Sequence, residues 1–78
     1  MTDSFKKLID VAFDIKVFLG VASYTLYQYE DGSYVEFHVH KVLNPRGLID
    51  LANGLDIRLY HDENDIMIRV DEEPFSLM

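Results

Sequence analysis

Asp31 and Gly32 stand between two runs, residues 23–29 and 34–40, in which apolar and polar side chains alternate; nothing else in the chain limits its fold so strongly. An Asp-Gly pair accepts the positive φ angles of a type I′ turn, whose twist matches that of the strands it joins. Taking Asp31-Gly32 as a two-residue loop pairs Tyr29 with Tyr34, Tyr27 with Glu36, Leu26 with Phe37, and Thr25 with His38. Side chains alternate across a strand. One face of this hairpin therefore carries Tyr24, Leu26, Val35, Phe37 and Val39, and the other carries Tyr27, Tyr29, Tyr34, Glu36, His38 and His40. The first face is apolar and has to be covered.

The same alternation returns in residues 55–61 and 66–71, joined through Asp62-Glu63-Asn64-Asp65. Leu55, Ile57 and Leu59 share a face with Ile68 and Val70; Asp56, Arg58, Tyr60, Met67 and Arg69 point the other way. Two turns are compatible with this loop. Centring on Asn64-Asp65 sets Arg58 opposite Asp71, whereas centring on Glu63-Asn64 sets Arg58 opposite Arg69, so charge favours the former.

Two helices can provide the cover. In residues 4–19, Phe5, Leu8, Ile9, Ala12 and Phe13 recur at helical spacing, with Lys6, Lys7, Asp10 and Asp14 mostly opposite. Asp3 or Ser4 can cap the start and Gly20 can end it. The alternation Ile15-Lys16-Val17-Phe18-Leu19 also suits a strand, so the helix ends either near Asp14 or at Gly20. Residues 44–54 read as a short helix with Asn44 as N-cap, Pro45 at the first helical position, Gly47 weakening the interior, and Gly54 just beyond the end. The expected fold is an α+β two-layer sandwich in the order α-β-β-α-β-β. A four-stranded antiparallel sheet of two hairpins carries two helices on one face. Strand order stays open.

A chain of 78 residues is too short for two ordinary domains, so residues 1–78 are read as one domain, with an acidic and then apolar tail at 72–78 that can fray. Without cysteine, neither a disulfide framework nor a cysteine zinc site can supplement its small core. The longest apolar stretch, residues 17–22, is far too short to span a bilayer, and the first residues lack the features of a secretion signal. A cytoplasmic location without membrane contact is expected.

Fourteen acidic against seven basic residues give a net charge of −7, which opposes direct binding to nucleic acid. A charged partner is then expected to be a protein with a basic surface. Tyr27, Tyr29, Tyr34 and Tyr60, with Met67 and Glu36, fall on the sheet face opposite the helices. Tyrosine, being large, rigid and amphipathic, suits recognition there as well as cross-strand packing. Glu30 and Asp31 in one loop, and Asp62, Glu63 and Asp65 in the other, can imitate phosphates toward a basic groove; such acidic turns also simply keep a small protein in solution. His38 and His40 lie two apart on one strand, a spacing that can chelate a metal ion, but no third ligand is placed beside them, and no metal or other cofactor is expected. The isolated glycines and serines form no phosphate loop or nucleophile motif, so no catalytic residue is assigned and an enzyme is not expected.

In size and acidity the chain resembles the small, cysteine-free inhibitors that phages and mobile elements direct at host enzymes, anti-CRISPR and other anti-defence proteins among them. That likeness implies a protein-binding inhibitor that occludes a basic, nucleic-acid-binding surface. The alternative is a structural subunit or homodimer whose Tyr-rich face is the assembly interface.

Overall fold

The computed structural model describes residues 3–72. Its first helix, α1 (Asp3–Leu19), runs through the stretch with strand-like alternation. A helix is preferred there because Ile15 joins Leu8, Val11 and Ala12 on one stripe at helical spacing, all four buried. The stop is a Schellman motif. Gly20 adopts φ +71°, its N–H donates to the Val17 carbonyl, and the Val21 N–H reaches back to Lys16. Two details differ from expectation. Phe13, placed on the core face by its pattern, is 60% exposed, because the stripe is centred on Val11 and Ile15 instead. Asp3 and Ser4 both lie within the first turn rather than before it.

β1 (Thr25–Tyr29) and β2 (Gly32–Val39) form the first hairpin. The turn residues are Glu30-Asp31, not Asp31-Gly32. Tyr27 therefore faces Tyr34 and Leu26 faces Val35, a slip of two residues from the expected register. A slip of two preserves both faces, so the division into apolar and polar sides holds. Gly32, at φ +142°, opens β2 rather than occupying the turn.

The second helix, α2 (Pro45–Ala52), has the expected ends: the Asn44 side chain accepts the Gly47 N–H at 3.1 Å, Pro45 starts the helix, and left-handed Asn53 closes it with Gly54 following. Gly47 has a packing role in addition. A Cβ there would lie 2.6 Å from the tip of the Phe18 ring, so the missing side chain is what lets α1 and α2 approach.

β3 (Ile57–Asp62) and β4 (Asp65–Asp71) complete the sheet. Leu55 is buried but precedes β3. The turn centres on Glu63-Asn64, with Glu63 at φ +54°, so Arg58 faces Arg69 after all. Like charges are tolerated because each guanidinium is held along its own strand: Arg58 Nε donates to Asp56 and Arg69 Nε to Asp71, each at 2.9 Å. The favoured register would have supplied one cross-strand ion pair; the observed one has two same-strand pairs. Again only the register moves, by two, and the faces stand.

The strand order is β1-β2-β4-β3, all antiparallel. Hairpins thus join through their second strands. Val35, Phe37, Ile68 and Val70 of the two central strands are buried beneath Leu8, Val11, Ala12, Ile15 and Leu48. This is the expected two-layer α+β sandwich in the order α-β-β-α-β-β. The cover is narrower than the sheet, so on the edge strands Leu26 and Leu59 face the helix layer yet remain 37% and 44% exposed. Among the described residues no helix is long and apolar enough to cross a membrane.

Glu72, read as the start of the tail, is built into the fold. Its carboxylate accepts the Ser4 hydroxyl at 2.7 Å and the Ser33 N–H at 3.1 Å, while its own N–H donates to the Ser33 carbonyl at 2.7 Å. One residue thereby ties the start of α1 to β2. The rest of the tail, residues 73–78, lies outside the described residues.

Candidate recognition face

The sheet surface away from the helices is organised by strand register. Across it, Tyr27 neighbours Tyr34 and then Asp71; Thr25 neighbours Glu36, Arg69 and Arg58; His38 neighbours Met67 and Tyr60. At one corner the aromatic residues stack. Tyr27 and Tyr34 lie 4.8 Å apart between centroids with planes 20° from parallel, and Tyr29 reaches the same ring at 5.9 Å and 18°. The Arg69 guanidinium lies 3.8 Å from the Tyr34 centroid, a distance at which the cation is attracted to the ring.

Arg69 is held on both sides. Asp71 accepts from its Nε, and the ring of Tyr34 lies beneath its central carbon. Burial works to lower the guanidinium pKa, but the hydrogen bond and charge of Asp71 more than offset it, with Tyr60 and Tyr34 adding, so it stays charged. Loss of water contact raises the Tyr34 phenol above its ordinary value; the hydrogen bond and charge of Tyr29 and the charge of Glu36 add to this, and Arg69 opposes it. The phenol is therefore neutral at physiological pH and offers a ring with a hydrogen-bonding rim.

The expected face residues do not all belong together. Tyr27, Tyr29 and Tyr34 form the stack with Glu36 one row away. Tyr60 lies beyond Arg69, two strands over and four residues along from Tyr34, or roughly 16 Å by sheet spacing. Met67 lies beside Tyr60 as expected, and Arg69 and Asp71 join the face with a part in the stack that sequence patterning did not assign them. Their parity indicated the correct side; only the β2–β4 pairing brings them beside Tyr34.

The acidic turns separate further. Glu30-Asp31 closes the end where β2 begins, and Asp62, Glu63 and Asp65 surround the turn at the end where β2 finishes. Eight residues of β2 put about 23 Å between them. A contact using both must extend along the strands.

The histidines also part. His38 Nε2 lies 3.7 Å from Glu36, while His40 Nδ1 is 2.9 Å from Asp65. Among the described residues no group of three or more His, Asp or Glu side chains converges as a metal site would require. An open cleft of about 340 Å³ between the helices is lined by Lys6, Lys7, Asp10 and Asp14 along with Leu51 and Asn53. Comparison with protein-family models, with curated proteins and with solved structures gives no match.

Proposed function

We propose that this chain is a protein-binding module that occupies a basic surface of its partner, in the manner of a phage or mobile-element anti-defence inhibitor. The observation that carries the reading is the Tyr27–Tyr34–Tyr29 stack with Arg69 fixed against it, on a sheet face that no element among the described residues covers. A rigid aromatic platform loses little side-chain freedom on binding and is suited to anchor an interface. The acidic turns at its two ends supply charge for a basic groove running along the strand direction. We place this activity in the cytoplasm and assign it no cofactor and no catalysis. The competing reading, a second copy stacked on the same face, brings two chains of charge −7 together over their full width.

The test uses paired baits in a bacterial lysate: the wild-type chain, and a Tyr27→Ala/Tyr34→Ala variant checked for an unchanged circular dichroism spectrum. A protein retained by the first, lost from the second, released by salt and displaced by added nucleic acid supports the reading. Retention that ignores the tyrosines, or that nucleic acid does not compete, would sink it.

A further inference from the structure

We infer that the outer edge of β1 pairs with the same strand of a second copy, joining two four-stranded sheets into one of eight. Among the described residues nothing pairs with that edge. An open strand edge presents unpaired backbone groups, and proteins usually blunt such edges with lysine, proline or other charges. β1, Thr25-Leu26-Tyr27-Gln28-Tyr29, carries none of these. The opposite edge strand, β3, carries Arg58, His61 and Asp62, and both central strands are charged as well. In a chain of charge −7, the one uncharged strand among the described residues is the place where a like-charged copy can approach.

Geometry selects the arrangement. Antiparallel pairing about a twofold axis through Tyr27 uses all five residues, setting Tyr27 opposite the partner's Tyr27, Tyr29 opposite the partner's Thr25, and Leu26 opposite the partner's Gln28. Aromatic and β-branched neighbours of this kind favour pairing. The acidic turn Glu30-Asp31 of each copy then lies beside the partner's Ser23 and Tyr24, away from its own counterpart. A parallel arrangement would set the two acidic turns side by side. Half-exposed Leu26 gains cover, and the tyrosine stacks of both copies become one strip on a single face. This edge contact leaves that face free and does not depend on the partner-binding reading.

Sedimentation and light scattering over concentrations from roughly 10 µM to 1 mM, the range of small transient interfaces, read the result. The wild-type chain is expected to dimerise, and Leu26→Lys/Gln28→Lys to weaken dimerisation at least tenfold with an unchanged melting curve. Single cysteines report the register, because the chain has no other. Tyr27→Cys, at the axis, should cross-link under mild oxidation; Tyr29→Cys, about 13 Å from its counterpart, should not. A wild-type monomer throughout, a dimer indifferent to the lysines but dissolved by Tyr34→Ala, or equal cross-linking of both cysteines would each overturn the inference. If the lysine pair lowers the melting temperature, the two cysteine variants decide.

Discussion

Glu72 joins three groups from the start and the middle of the chain: the Ser4 hydroxyl, the Ser33 N–H and the Ser33 carbonyl. Hydrogen bonds to a charged acceptor are worth more than neutral ones, and Ser33 is buried, so its N–H would lose a partner if the carboxylate were removed. Glu72→Ala should cost about 2 kcal/mol in urea unfolding, and Glu72→Gln, which keeps an acceptor, roughly half that. Gly47 gives a second test, because two effects oppose. Alanine is favoured over glycine in a helix by about 1 kcal/mol, whereas at this position its Cβ meets the Phe18 ring. Gly47→Ala should therefore destabilise the native chain but stabilise a Phe18→Ala background, and gain in both would show that the ring yields freely. Tyr34 is the third. Its raised pKa means the folded state holds the phenolic proton more tightly than the unfolded chain, so this contribution is present below about pH 10 and is lost as pH rises through the folded value. In an alkaline absorbance titration, Tyr34→Phe should remove a component that ionises above the ordinary tyrosine value.

At the scale of elements, parity was legible and register was not. Both hairpins keep the faces their alternation implied, because burying Phe37 or Ile68 on the wrong side would expose the core, while a shift of two residues costs no face its character. Register depends on turn chemistry and on charges whose partners the sequence does not reveal. Arg58 opposite Arg69 looks unfavourable as a cross-strand pair; it ceases to be so once Asp56 and Asp71 occupy the guanidinium groups from their own strands. The start of α2 was legible for the converse reason, since Asn44 and Pro45 act within a few residues of where they stand, whereas the left-handed cap at its end is Asn53, one residue before Gly54. The tyrosine stack was half legible. Its members shared a face by parity, but Arg69 joins them only through the strand order, a long-range property. If same-strand aspartates are what permit the arginine pair, Asp56→Asn/Asp71→Asn should destabilise the hairpin by about 0.5–1 kcal/mol at low salt. Added salt should then recover most of that loss, since screening shortens the reach of the exposed repulsion. A loss independent of salt would mean the aspartates act by hydrogen bonding alone.

At the scale of the molecule, charge is distributed toward the ends of the sheet. The face between them sets Glu36, Asp56 and Asp71 against Arg58 and Arg69, one negative charge in excess, with Glu30-Asp31 at one extremity and Asp62, Glu63 and Asp65 at the other. Their separation of about 23 Å is several times the screening length of roughly 8 Å at physiological salt, so the two ends act on a partner independently. Substitutions that far apart without shared contacts add in free energy. For a partner whose basic groove follows the strands, Glu30→Gln/Asp31→Asn and Asp62→Asn/Glu63→Gln should each slow association and reduce its salt dependence, and the combined variant should show the sum of the two effects. Measured association rates against salt concentration give the answer for whatever partner the tyrosine-dependent capture identifies. Sensitivity to one end only would confine the contact to that half of the sheet. If the affected end were the Asp62 side, the contact would centre on Tyr60 and Met67 rather than on the stack, and Tyr34 would no longer be its anchor.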